Sequence, residues 1–293
     1  AYGAPVNSSG QLGITNWGDK VANGVDASKD FFRTGATYIN SLAISGGTEK
    51  VQSYASYANT TSNGIMPTNT FGRHNFMVKQ TYKLLNDKLT VTASANFIVQ
   101  KSKNRPRGGQ YNNPLTGLYT FPANGNWNQY KNNYEAYDPD RMINTQQWYR
   151  DLNNDFSQNP YWILNREPNV DTRNRTMVNG TANYKITDFL NIQGRLSYDK
   201  SADEFEWKQY ASTSQVLVNV NGQYTVDKTE YRQFYGDLLL NFSKEFGNVS
   251  VNASLGTSFS DNLTKVYNLG TGGDRYITNY FVINNSTKNG SSQ

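Results

Sequence analysis

The chain reads as all-β, a run of antiparallel strands forming part of a transmembrane β-barrel with long loops on one side. Three observations predict this. Apolar and polar residues alternate with a period of two over most of the chain, so that each strand has one greasy and one polar face. Short and long connections alternate strictly along the sequence, as in barrels with short turns at one rim and long loops at the other. The apolar faces begin or end in aromatics (Phe97, Tyr184, Tyr198, Phe234 and Phe259), which suits a girdle at a membrane border.

Each element follows from its own residues. Residues 1–33 are rich in Gly, Asn and Asp without a period and read as a loop-rich lead-in. Barrel strands are expected within 34–259. Thr37–Ser45 places Tyr38, Leu42 and Ile44 on one face, and Val51–Asn59 places Val51, Ala55 and Tyr57 together after a turn at Gly46–Lys50. Arg73–Leu85 aligns Phe76, Val78, Tyr82 and Leu84; after Asn86–Lys88, Leu89–Gln100 aligns Leu89, Val91, Ala93, Ala95, Phe97 and Val99. Arg173–Ile186 and Leu190–Asp199 make a third hairpin around Thr187–Phe189.

The clearest hairpin is the stretch from Tyr231 to Phe259. Phe234, Leu238, Leu240 and Phe242 share one face of its first arm, and Val249, Val251, Ala253, Leu255 and Phe259 share one face of the second. Lys244–Asn248 turns between them, with Gly247 free to adopt a positive φ. The connections 60–72 and 101–172 are expected to be loops on one side, 200–230 a polar excursion on the same side made of strand extensions with a tip at Asn221–Gly222, and 260–293 a further loop. The tract 101–172 is far longer than an ordinary connection, which marks it as functional, and Asp140–Asp151 could form a short helix in it. A secreted carbohydrate-binding β-sandwich is the main rival, since sandwich strands alternate too. A small autonomous barrel adhesin is a third reading, since eight strands can close alone.

Composition narrows the chemistry. The 293 residues include no Cys and one His, His74, which excludes disulfide frameworks, thiolate chemistry and multi-His metal sites. Net charge is +5, but Lys and Arg are scattered and form no stripe for nucleic acid. No apolar run approaches a membrane-spanning helix. The mean hydropathy of −0.73 is compatible with a barrel, whose alternating faces average to polar. Nothing behind Ala1 looks like a secretion signal, so a processed product or an excerpt of a longer protein is expected.

Several segments, in order, resemble SusC/RagA-type TonB-linked outer-membrane transporters. They are Asp30–Gly35, Ser41–Lys50, Asn63–Ile65 followed by Arg73, Asn159–Trp162, Asn165–Asn169 with Arg173–Arg175, and Tyr184–Asp188. The resemblance runs from about residue 30 and corresponds to the early-to-middle barrel strands, so these eight or so strands are expected to belong to a barrel of about 22. It implies a location in the outer membrane of a Gram-negative bacterium and energised import of oligosaccharide or peptide. It also implies a SusD-like surface lipoprotein as lid and coupling to the TonB complex through a plug that is not visible here.

Aromatics crowd the longest loop. Trp127, Tyr130, Trp148, Tyr161 and Trp162 are the candidate ligand contacts, because aromatic faces beside amides can stack on and orient a sugar or peptide. Taken singly, each is more readily explained by packing within the loop. Asp151–Asp155 looks like the start of a Ca²⁺ loop, but Phe156 and Trp162 stand where Gly and Glu are needed. Asp138–Asp140 suits a turn or a helix cap. Gly270–Gly273 lacks the Lys-Ser/Thr ending of a phosphate loop. No nucleophile–base pair, cofactor motif or catalytic residue is indicated.

Overall fold

A computed structural model describes residues 21–150, 156–270 and 273–288. Most of the lead-in and the Asp151–Asp155 stretch lie outside the described residues. One antiparallel sheet of eight long strands dominates, joined strictly in sequence order except that a long excursion separates the fourth strand from the next in the sheet. The strands are β1 (Ala36–Gly47), β2 (Val51–Asn63), β3 (Thr70–Leu84), β4 (Leu89–Lys103), β7 (Asn169–Thr187), β8 (Leu190–Gln209), β9 (Gln223–Phe246) and β10 (Val249–Asn268). A two-stranded ribbon, β5 (Glu135–Asp138) and β6 (Ile143–Gln146), lies within the excursion. Four short helices accompany it: α1 (Ala27–Phe31), α2 (Pro114–Thr120), α3 (Trp127–Asn132) and α4 (Pro160–Arg166).

The hairpins turn where the sequence places them. Gly247 sits at φ +62, and Leu85, Asn86 and Asp87 all take left-handed conformations at the β3–β4 turn. Gly47 is required where it stands: its φ is +152, and a Cβ there would lie 2.0 Å from the Val51 carbonyl oxygen.

At the opposite rim the strands run further than their hydrophobic alternation. β2 ends at Asn63 and β3 starts at Thr70, so the connection expected over 60–72 shrinks to 64–69. β8 and β9 continue to Gln209 and from Gln223, the strand extensions expected within 200–230, with Gly222 at φ +95 in the connection, while β10 runs on to Asn268 where a loop was expected. The physical reason is that backbone pairing persists where neither face needs to be apolar. Polar cross-strand pairs carry the ladder instead, such as Lys228 with Glu204 at 3.0 Å. The short helix considered over Asp140–Asp151 does not form over its described residues, 140–150. The β5–β6 ribbon occupies its first half, with the Asp138 carboxylate accepting from the Asp140 and Arg141 amides at the turn.

Among the described residues the sheet has no second layer over its apolar face. Leu196, Leu238, Val251 and Leu255 are exposed, Leu255 at 74%. A β-sandwich would enclose these residues between sheets, so that reading is overturned. Nor do the eight strands close on themselves, because β1 and β10 are not paired. The buried hydrophobic cluster of Ala27, Phe31, Met66, Leu118, Trp127, Tyr161 and Leu164 lies in the loops, not in the sheet.

Candidate functional site

The two faces of the sheet differ in chemistry. On the apolar face the register lines up Tyr57, Phe76 and Phe97 across β2, β3 and β4, and Tyr198 with Phe234 across β8 and β9. Phe234 and Phe259 pack at 5.5 Å, and Phe76 and Phe97 at 6.5 Å. A second aromatic row lies near the short turns, with Tyr82, Tyr184 and Phe242; Phe189 packs on Phe242 at 5.7 Å and receives the Lys244 ammonium at 4.7 Å. Between the rows, the positions sharing this face carry no Asp, Glu, Lys or Arg on any of the eight strands. From Phe234 to Phe242 is about 26 Å of strand at ~3.3 Å per residue, the reach of a tilted membrane-crossing strand.

The opposite face is wet. Arg173 pairs with Asp203 in a two-pronged contact at 2.6 and 2.7 Å, Arg175 with Asp199, and Arg195 with Asp237 at 2.9 Å. Amides and hydroxyls fill the gaps, as in Asn241 to Asn191 at 3.0 Å and Ser197 to Asn179 at 2.7 Å. Near the long-loop rim this face opens into a cavity of about 360 Å³ lined by Phe71, Arg105, Asp171, Arg173, Asp203 and Asp227, among others. Arg105 reaches Asp171 at 3.1 Å there. The guanidinium of Arg107 lies 3.9 Å from the centre of the Trp207 ring, and burial lowers its pKa below the usual arginine value.

At the long-loop rim the loops fold together into a roof. Asn113 and Asn159 cap α2 and α4, each accepting from the second amide of its helix, with Pro114 and Pro160 in the first turn. Phe121 sits amid Trp127, Trp148 and Tyr149 at 5.1, 5.5 and 5.4 Å. The Trp127 Nε1–H donates to Asp30 at 3.1 Å, tying the excursion to α1. Helix α4 is buried along almost its whole length, and the Trp162 Nε1–H donates to Thr213 at 2.9 Å. Buried amides join the segments: Gln146 accepts from the Asn159 amide at 2.7 Å, and Gln158 accepts from the Ser214 amide at 2.9 Å. Arg275, nearly buried, donates to three carbonyls of its own loop, while Asn221 binds Asp274, joining the last two loops.

Four of the five candidate aromatics, Trp127, Tyr130, Trp148 and Tyr161, therefore come together, while Trp162 turns to Thr213, and the five differ in exposure. Trp127, Tyr161 and Trp162 are 2%, 9% and 0% exposed and present no face to a ligand. Burial holds the Tyr161 hydroxyl up at about 12. Tyr130 and Trp148 pack at 5.2 Å and keep part of their surface exposed. Arg195 and Asp237 are on the polar face that the alternation gives them, but missed at the level of sequence were the pairs Arg173–Asp203 and Arg175–Asp199 and the buried Glu167. The pairs had a readable signal, because Arg173 and Arg175 share one face of β7, as do Asp199 and Asp203 on β8. Glu167 is pushed up to about 8 by burial, partly offset by hydrogen bonds from Gln209 and Gln158 and the charge of Arg107. Among the described residues no cluster could hold a metal ion, and no helix is long and apolar enough to cross a membrane, which says nothing of crossing by strands.

Belts, an uncharged outer face and a polar inner face define a section of an antiparallel transmembrane-type barrel wall. Solved structures with this fold include the RagAB peptide importer in its open-open state (TM-score 0.66, 13% identity, 93% of this chain and 29% of that one). The closed-closed state of the same importer superposes with TM-score 0.63 at 14% identity, covering 92% of this chain and 30% of that one. The chain thus spans under a third of the length of the structures it matches. No family model matches the chain, and no curated protein is significantly similar to it.

Proposed function

We propose that the chain forms part of the wall and roof of a TonB-dependent importer in the outer membrane of a Gram-negative bacterium. The observation that carries this is the contrast between faces: no charge between two aromatic rows on one side, and paired arginines and aspartates on the other. A surface of the first kind is stable against hydrocarbon, and one of the second kind against water. The long-loop rim is then extracellular. The remaining strands, the plug and its contact with the TonB complex lie elsewhere in the whole protein. A SusD-like lipoprotein is the expected lid on the roof.

The imported ligand is an oligosaccharide or a peptide, met first by Tyr130 and Trp148 and then by the polar face below. The resemblance to a structure described as a peptide importer supports the second class, and the mixed charge of the cavity suits a peptide backbone with both termini ionised. The test is uptake by cells expressing the full-length protein, with fluorescent peptides and fluorescent oligosaccharides offered separately. Accumulation of one class that stops when TonB is removed is expected, and Trp148→Ala should lower it severalfold. Accumulation of neither, or uptake indifferent to TonB, would remove the import reading.

A further inference from the structure

We infer that the outer wall carries a site for the phosphate of a membrane lipid whose headgroup is net anionic, with no cation of its own beside the phosphate, built from Thr176, Lys200 and Arg232. The register sets these three side by side on β7, β8 and β9, on the same outward face as the apolar band. They stand one step beyond the row Val178, Tyr198 and Phe234, where that band ends on the extracellular side. Their depth is therefore that of the headgroups, a conclusion that rests on the membrane reading of the wall.

The charges around them are otherwise balanced. Lys228 pairs with Glu204 at 3.0 Å, Lys265 stands opposite Glu230, and Arg232 reaches Asp261 at 3.2 Å through one amino group. Lys200 is exposed and has no ion-pair or side-chain hydrogen-bond partner among the described residues, and its cross-strand neighbour is Arg232. Two cations directly opposite one another destabilise a sheet unless an anion lies between them. A tetrahedral phosphate held by the Lys200 ammonium, the open edge of the Arg232 guanidinium and the Thr176 hydroxyl removes that repulsion. It would meet the belt below with its acyl chains along Val178, Leu196 and Leu238. The anion of a lipid is fixed at this depth, whereas free phosphate is not.

The full-length protein, purified in detergent, is offered mixed phosphatidylglycerol and phosphatidylcholine, and bound lipid is counted by native mass spectrometry. Retained phosphatidylglycerol is expected in excess. Lys200→Gln should weaken its retention about fivefold and the Lys200→Gln/Arg232→Gln pair about 25-fold, at one surface cation's worth each. Lys265→Gln, on the same face with its own carboxylate opposite, should leave retention unchanged. Equal retention of both lipids, an equal loss in Lys265→Gln, or complete displacement by millimolar inorganic phosphate would each overturn the site. Failure of the protein to insert into bilayers would instead strike the membrane reading beneath it.

Discussion

Single residues decide whether the roof holds together. Trp162 is fully enclosed and its indole hydrogen is committed to Thr213, so Trp162→Ala removes both a large apolar group and a bond between two loops. A loss of about 3–5 kcal/mol in roof stability is expected, read as a lowered midpoint of the aromatic fluorescence transition. Glu167 gives the roof a pH dependence of known sign. Its carboxyl is raised from 4.5 to about 8, so the docked state holds the proton more tightly than the open one. Its support is complete below pH 4.5 and is lost as pH rises through 8. The midpoint should therefore fall between pH 5 and pH 9, and Glu167→Gln should flatten that slope; an unchanged slope would contradict the assignment. Aromatic crowding in the long loop was legible in the sequence, and so was the blander explanation for it. Which rings point inward was not, because burial of Trp127 and Tyr161 depends on Phe31 arriving from α1, about a hundred residues away.

At the scale of elements, the alternation in each strand fixed its faces and the turns fixed the hairpins. The strand ends were legible only in part: extensions were expected within 200–230, but not the run of β10 to Asn268, because outside the apolar band little in the side chains distinguishes a paired strand from a loop. β9 begins at Gln223 through Tyr-Thr-Val-Asp-Lys-Thr-Glu, where only Tyr224 and Val226 share an apolar face before Lys228 and Glu230 interrupt it, yet the stretch is paired along its length with β8. The faces make a directional prediction. Leu238 lies midway between the two aromatic rows, so Leu238→Lys should cost about 2–4 kcal/mol in unfolding measured from lipid bilayers. Gln193→Lys, on the polar face of neighbouring β8, should cost less than about 1 kcal/mol. Equal penalties would mean that the two faces meet the same solvent.

At the scale of the molecule, strictly sequential pairing of strands with short turns at one rim was foreseen from spacing alone. Docking of three separate loops into one roof was not, since it is held by amides such as Gln146, Gln158 and Asn221 that carry no periodic signal. The loops gather at the long-loop rim, while the apolar face is left bare, as the proposed membrane-facing wall requires. The most direct test of this account places spin labels on the full-length protein in lipid bilayers, one at a time, at 178, 196, 238 and 255 on one face and at 179, 195, 237 and 254 on the other. Collision with dissolved oxygen should dominate at the first four sites, and collision with a water-soluble nickel chelate at the second four. If the first four were as open to the nickel chelate as the second, the wall would not face a membrane.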